Sequence, residues 1–177
     1  MKTILQKLKG GDLRSIGKAN KIAESVLENP KLFKEVFEGM IDSDPLIRMR
    51  AADVAEKVSK KHPEYLQPFK LRLIKEVTKI PQQEVRWHAA QMFSYITLTP
   101  KEENKVSKVL ISWLENEKSN IVKVMSLQTL ADFAKQNIAI RNKIVPLLKK
   151  FLAGGTQSLK SRGRKLLKEF SDKKQKL

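Results

Sequence analysis

The chain has 177 residues, enough for one domain that buries roughly 70% of the surface it exposes when unfolded. Hydrophobic residues make up 41% of it, which excludes wholesale disorder, and the absence of cysteine excludes disulfides, thiolate metal sites and thiol nucleophiles. The formal net charge of +17 favours an acidic partner such as nucleic acid, an acidic protein or anionic lipid.

The periodicity of the apolar residues predicts helices only. Apolar residues recur at spacings of three and four, and no segment alternates apolar and polar residues as a half-buried strand would. We expect about ten helices joined by short turns, several of them starting at a proline. The turn signals in chain order are Gly10-Gly11, Asn29-Pro30, Asp42 to Pro45, His62-Pro63, Ile80-Pro81, Thr99-Pro100, Glu117 to Asn120 and Gly154-Gly155. We predict a single domain over residues 1–171 and a frayed basic tail over residues 172–177.

Membrane insertion is not expected. The N-terminal ten residues lack the apolar run of a signal peptide, and the uncharged stretch from His88 to Pro100 is too short to cross a bilayer. The absence of cysteine also fits a reducing compartment. We therefore expect a soluble, cytoplasmic protein.

Four segments share one pattern, in which an aliphatic residue is followed by a basic residue and, three positions later, by a small residue. The basic residues are spaced 38, 37 and 37 residues apart, and they are Arg48, Arg86, Lys123 and Lys160. A fifth, degenerate copy lies between Ser15 and Asn20. Each copy follows an amphipathic helix and a turn, so it opens the second helix of a helical pair. Such pairs stack because one pair cannot cover its own apolar face.

This repeated element resembles the HEAT-repeat family of armadillo/HEAT-like α-solenoids. The family pattern has an acidic residue five positions before the aliphatic one, which is Asp42 in the first copy and Glu117 in the third. The second and fourth copies have Ile80 and Gly154 there. The resemblance covers residues 30–170 and implies an all-α, right-handed superhelix of four to five helical pairs.

The resemblance also implies roles for the repeated basic residues. Asp42 is expected to pair with Arg48, and Glu117 with Lys123. Arg86 and Lys160 lack an acid in register, which leaves them freer to meet a ligand.

Trp87 and His88 follow the repeated Arg86 on the second helix of their pair. Trp87 either stacks on a base or a cation, or packs between adjacent helices, and the sequence leaves both alternatives open. The only other histidine is His62, far along the chain, so we expect no metal site, no catalytic histidine and no cofactor.

One enzyme class has a similar architecture, the HEAT-like alkylpurine DNA glycosylases. Their site pairs a tryptophan with an aspartate four residues later and an arginine from the following repeat. Here Trp87 is followed by Gln91, which carries no negative charge to stabilise a cationic sugar. The matching helix of the next repeat offers Lys123 to Gln128 without an arginine. We therefore predict that the protein is not an enzyme.

The basic residues concentrate near the C-terminus. Residues 141–177 carry 12 basic and two acidic side chains, and the span between Asp132 and Glu169 carries ten basic and no acidic ones. This is either a solvated lysine-rich helix or an anion-binding surface. Of the 36 basic residues 28 are lysine, which favours attraction to a backbone over base reading.

We predict a non-enzymatic scaffold that presents a basic concave or end surface to an acidic partner, with an acidic protein as the first expectation and nucleic acid as the alternative. The residues expected to form that surface are Arg50, Arg86, Trp87, His88, Lys123, Lys160, Arg162, Arg164 and Lys165.

Overall fold

The computed structural model describes residues 3–172, and the side chains of residues 3–170. These residues form α-helices and short 3-10 turns, with no strand between residues 3 and 172. The α-helices are α1 (Ile4–Leu8), α2 (Ala19–Glu28), α3 (Phe33–Gly39), α4 (Pro45–Lys61), α5 (Pro63–Leu66), α6 (Lys70–Lys75), α7 (Gln83–Met92), α8 (Pro100–Asn116), α9 (Asn120–Ala134), α10 (Ile138–Gly154) and α11 (Gln157–Asp172). The prediction of an all-α helical repeat is confirmed.

Several helices start where the turn signals predicted. Pro45, Pro63 and Pro100 are the first residues of α4, α5 and α8. Proline suits this position because its missing N–H would have no helical partner there. At α8 the Thr99 hydroxyl accepts from the Glu102 backbone N–H while the Glu102 carboxylate accepts from the Thr99 N–H, which closes a capping box.

The chain divides into two compact units, unit 1 up to Leu98 and unit 2 from Thr99. In unit 1, α4 packs against α2, α3 and α7. In unit 2, α9 packs against α8, α10 and α11, and α10 packs against α11. Of the predicted tail, Asp172 is the last residue of α11, and residues 173–177 lie outside the described residues.

The small residues of the repeated element lie where neighbouring helices come closest. Ala51, Ala89, Ser126 and Gly163 are all buried. In unit 1, a Cβ atom built on Gly39 of α3 would stand 2.8 Å from the Cβ of Ala51 on α4, closer than two such atoms can pack. The absence of a side chain at Gly39 therefore sets the distance between α3 and α4.

Trp113 lies in the core of unit 2, only 6% exposed. It follows the apolar stripe of α8, whose other members include the fully buried Val106, Leu110 and Leu114. These residues recur at spacings of three and four, and their burial marks the core side of α8.

Candidate functional site

The prediction that Arg50 belongs to an anion-binding surface was wrong. The side chain is 2% exposed and reaches into the loop between α1 and α2. Its Nη1 donates to the carbonyls of Leu8 and Gly10, and its Nε donates to the carbonyl of Ser15 at 3.0 Å. These donors are occupied by backbone carbonyls, so the guanidinium holds the loop in place and has no free fork for a ligand.

The loop around Arg50 needs glycine. Gly10, Gly11 and Gly17 have φ angles of +88°, +81° and +54°, the region that side chains disfavour. A Cβ on Gly17 would also lie 2.8 Å from the Cζ atom of Arg50. The loop backbone and the buried guanidinium are thus fitted to each other.

The repeated arginines Arg48 and Arg86 bind the turn before their own helix. Nη1 of Arg48 donates to the carbonyl oxygens of Asp42 and Ser43, and Nε of Arg86 donates to the carbonyl of Ile80 at 2.9 Å. Asp42 and Ile80 occupy the same position of successive repeats. The shared partner is therefore the backbone carbonyl at that position, which explains why Ile80 can replace the acid.

Burial lowers the pKa of the Arg86 guanidinium from its ordinary value, although arginine keeps its proton in proteins. Arg86 is half-buried, so its role as a cap on the Ile80 turn leaves it less open to a ligand than the sequence indicated.

Trp87 and His88 line a cavity of about 320 Å³ within unit 1. Its walls are the loop between α1 and α2, the helix α4 and the helix α7. The exposed side chains of Leu13 and Ile16 stand at its edge. Trp87 is half-buried, with its ring centroid 5.5 Å from that of His88, so it is neither a core residue nor a fully exposed one.

His88 is not a cation at neutral pH, which corrects its predicted part in electrostatic capture. Burial lowers the pKa of its imidazole to about 4, against the partly opposing effect of the Asp53 carboxylate. The Nε2 atom lies 3.8 Å from Oδ1 of Asp53, and the buried Nδ1 atom has no hydrogen-bond partner among the described residues.

The cavity around Trp87 is not basic. Its charged lining residues are Asp53 and Glu84 on the acidic side and Arg14 and Arg50 on the basic side, so the charges balance. Asp53 is itself paired with Lys57 at 2.7 Å. Of the predicted residues in unit 1, Arg50, Trp87 and His88 therefore meet at a mixed, partly apolar cavity, and Arg86 is not part of its lining.

In unit 2, the predicted cations differ in their exposure. Lys123 and Lys160 are half-buried, and so is Arg162, whose Nη1 donates to Oε1 of Gln128 at 2.8 Å. Arg164 and Lys165 on α11 are exposed. Of the five, these two are the most accessible to a partner.

The helices α10 and α11 carry four exposed lysines in addition to Arg164 and Lys165. We call the exposed cations of α10 and α11 the basic surface, which consists of Lys143, Lys149, Lys150, Arg164, Lys165 and Lys168. The signal for the four additional lysines was the charge imbalance between Asp132 and Glu169. Lys135 lies outside this set because it pairs with Asp132 at 2.7 Å and with Glu169 at 3.7 Å.

No helix among the described residues is long and apolar enough to cross a membrane. Within the same part of the chain, no group of three or more His, Cys, Asp or Glu side chains could hold a metal ion.

A family model of the HEAT repeat domain matches residues 11–103, a little over half of the 177 residues. No curated protein and no solved structure matches the chain, so the similarity to alkylpurine DNA glycosylases has no support from relatives. The matched span includes the Arg48 and Arg86 copies of the repeated element, each with its arginine bound to the preceding turn. The chain belongs to the HEAT repeat family of helical scaffolds.

Proposed function

We propose that the protein is a non-enzymatic scaffold that captures an acidic protein segment on the basic surface of α10 and α11. The observation that carries the proposal is the charge of this region. Ten basic and no acidic residues lie between Asp132 and Glu169, and six of the ten are exposed on α10 and α11. Such an excess of exposed cations attracts a polyanion before contact is made.

The exposed cations of α10 and α11 attract a polyanion collectively. A single exposed lysine in a surface ion pair contributes about 0–1 kcal/mol. Six cations of one sign on two packed helices act together on an approaching polyanion, mainly by raising the association rate. The Debye length is about 8 Å at physiological ionic strength, so the attraction weakens with added salt.

The side-chain chemistry favours protein over nucleic acid. Five of the six cations are lysines, whose point charges attract carboxylates and phosphates alike, so the choice between the two partners rests on the aromatic residues. Trp87, for which stacking on a base was one of two alternatives, lines a cavity of unit 1 together with the carboxylates of Asp53 and Glu84. A nucleic-acid site would gain from aromatic faces beside its cations.

A non-enzymatic role is supported by the surroundings of Trp87. Gln91 stands where the glycosylases have their carboxylate, and its Nε2 donates to the Trp87 carbonyl at 3.4 Å. Burial keeps His88 neutral, and its buried Nδ1 atom has no hydrogen-bond partner among the described residues. The proposal therefore assigns the cavity no reaction.

The test compares probe classes. Fluorescence anisotropy follows a labelled 20-residue poly-glutamate peptide, a 20-nucleotide single strand and a 20-base-pair duplex at about 50 and 200 mM salt. We expect the peptide to bind at 50 mM salt and to bind more tightly than either nucleic acid at both salt concentrations. All three probes should lose affinity with salt, because the attraction is electrostatic and neutralised charges release counterions. Tighter binding of either nucleic acid at 200 mM salt, or no binding of the peptide at 50 mM, would contradict the proposal.

A further inference from the structure

A groove of about 520 Å³ runs between α10 and α11 in unit 2, within the size range of ligand pockets. Its apolar side chains are Ile138, Val145, Pro146, Leu167 and Phe170. Ile138 is 64% exposed, the most exposed large hydrophobic side chain among the described residues. Apolar surface that is open to water beside a cavity favours an apolar occupant.

Two cations of α10 line the same groove. Arg141 is held in place by the carbonyl of Ala134, which accepts from its Nε at 3.2 Å, and by the ring of Phe170, whose centroid is 5.3 Å from the guanidinium carbon. Its Nη groups have no hydrogen-bond partner in the part of the chain that the structure describes. Lys149 is exposed at the other end of the α10 lining. A fixed guanidinium suits a carboxylate because little side-chain freedom is lost on binding.

A third cation flanks the groove on α11. Arg164 is exposed and lies one helical turn before Leu167, so the two side chains are neighbours on the helix surface. Lys165 is equally exposed, but its helical neighbours are the residues on the side of Arg162 and Glu169, away from Leu167. The rim of the groove therefore carries positive charge from both helices.

The backbone of α10 adds an acceptor. Pro146 lies inside the helix and has no N–H, so it cannot donate the helical hydrogen bond to the carbonyl of Asn142. Asn142 and Pro146 both line the groove. The groove thus offers an apolar floor, a cationic rim and a backbone carbonyl that lacks its helical donor.

Charge excludes several occupants. A second copy of this chain would bring the same cations to the groove, and residues 173–177 carry Lys173, Lys174 and Lys176. A single-stranded nucleic acid would gain from an open aromatic face for stacking, whereas Phe170 is 5% exposed and covered by Arg141. An acidic protein segment with apolar side chains complements both the floor and the rim.

We propose that the groove between α10 and α11 binds an acidic, amphipathic protein segment, whose apolar side chains contact Ile138, Val145 and Leu167 while its carboxylates meet Arg141, Lys149 and Arg164. This inference rests on the proposed function, since it names where the acidic segment is anchored. Charge attraction alone would hold a segment loosely along the basic surface, and the groove gives it a fixed position and orientation.

The test uses two labelled 18-residue peptides of equal net charge. One has leucines at helical spacing among glutamates, and the other has serines in their place. We expect the leucine peptide to bind about tenfold or more tightly than the serine peptide, because it buries at least one further large apolar side chain.

Matched variants locate the effect. Ile138→Ser removes an exposed groove side chain from the first turn of α10, and Ile121→Ser removes an exposed isoleucine from the first turn of α9, outside the groove. We expect Ile138→Ser to reduce affinity for the leucine peptide about fivefold or more. Ile121→Ser should hardly change the affinity for the leucine peptide. Neither variant should much change the affinity for the serine peptide. Both isoleucines are exposed, so neither variant should unfold the protein.

The outcomes separate this inference from the proposed function. Equal binding of the two peptides, or equal effects of the two isoleucine variants, would overturn the groove while leaving charge capture in place. Failure of both peptides to bind the wild-type protein at about 50 mM salt would overturn both.

Discussion

Acidification should destabilise unit 1 through His88. The imidazole has a pKa of about 4 in the folded protein, well below its ordinary value of 6.5, because burial disfavours the charged form. Two charged groups of α4 act on it, with the Asp53 carboxylate raising the pKa and Lys57 lowering it. Glu84 and Arg14 line the same cavity.

The sign and size of the effect follow from proton linkage. Above pH 6.5 neither state binds a proton at His88, so the histidine contributes nothing to the pH dependence. Between pH 6.5 and about 4 the unfolded chain is protonated and the folded chain is not, which lowers the free energy of unfolding by up to ~1.4 kcal/mol per pH unit. Acidification from pH 7 to pH 5 should therefore remove about 2 kcal/mol.

The assay is urea unfolding at pH 7, 6 and 5, followed by the fluorescence of Trp87 in a Trp113→Phe background. His88→Gln is the comparison, because it removes the titrating group and retains a polar side chain. We expect the wild-type free energy of unfolding to fall by about 2 kcal/mol more than that of His88→Gln over this range. Equal pH dependence of the two proteins would refute the argument that burial holds His88 neutral.

Three further predictions concern the N-terminal loop and the tail. Gly17→Ala should lower the free energy of unfolding by about 1–3 kcal/mol in urea, because it combines a positive φ with a Cβ 2.8 Å from the Arg50 guanidinium carbon. An unchanged midpoint would mean that the loop relaxes freely. Arg50→Lys should lower the free energy of unfolding by about 2–4 kcal/mol, since an ammonium cannot reach carbonyls on both sides of the loop. Amide hydrogen exchange in residues 9–18 should become faster in this variant. Unchanged exchange protection would contradict the role of Arg50. Deletion of residues 172–177 should leave the thermal midpoint nearly unchanged, and a drop of many degrees would show that this segment docks.

The repeat could be predicted from sequence because its signals are local. Each copy of the repeated element, each proline at a helix start and each small residue at a close approach depends on a few neighbouring positions, and the copies recur along the chain. The match to the family confirms what these patterns predicted about the fold.

Arg50 was misplaced because its partners are distant in sequence. Its hydrogen bonds reach back 35 to 42 residues, to a loop whose path no local pattern reveals. The signal available was the group of glycines at positions 10, 11 and 17, which indicates positive φ angles and a close approach of another group. Nothing in the sequence states that an arginine is that group.

The charge of His88 and the groove in unit 2 depend on packing. The histidine loses its charge because neighbouring helices exclude water from it, and burial of this kind cannot be deduced from composition. The groove could have been suspected from Pro146 within the apolar stripe of α10, although its lining by Leu167 and Phe170 depends on how α11 packs.

The central claim is that the basic surface of α10 and α11 captures an acidic protein segment. The most direct measurement compares the affinity of the labelled poly-glutamate peptide for two double variants with the same change in net charge. Arg164→Glu with Lys165→Glu alters the basic surface, and Lys31→Glu with Lys34→Glu alters exposed lysines of unit 1. We predict that the first pair weakens binding about tenfold or more at 50 mM salt and that the second changes it less than about twofold. Equal losses in the two variants would show that the peptide responds only to net charge, and would contradict the assignment of the binding surface.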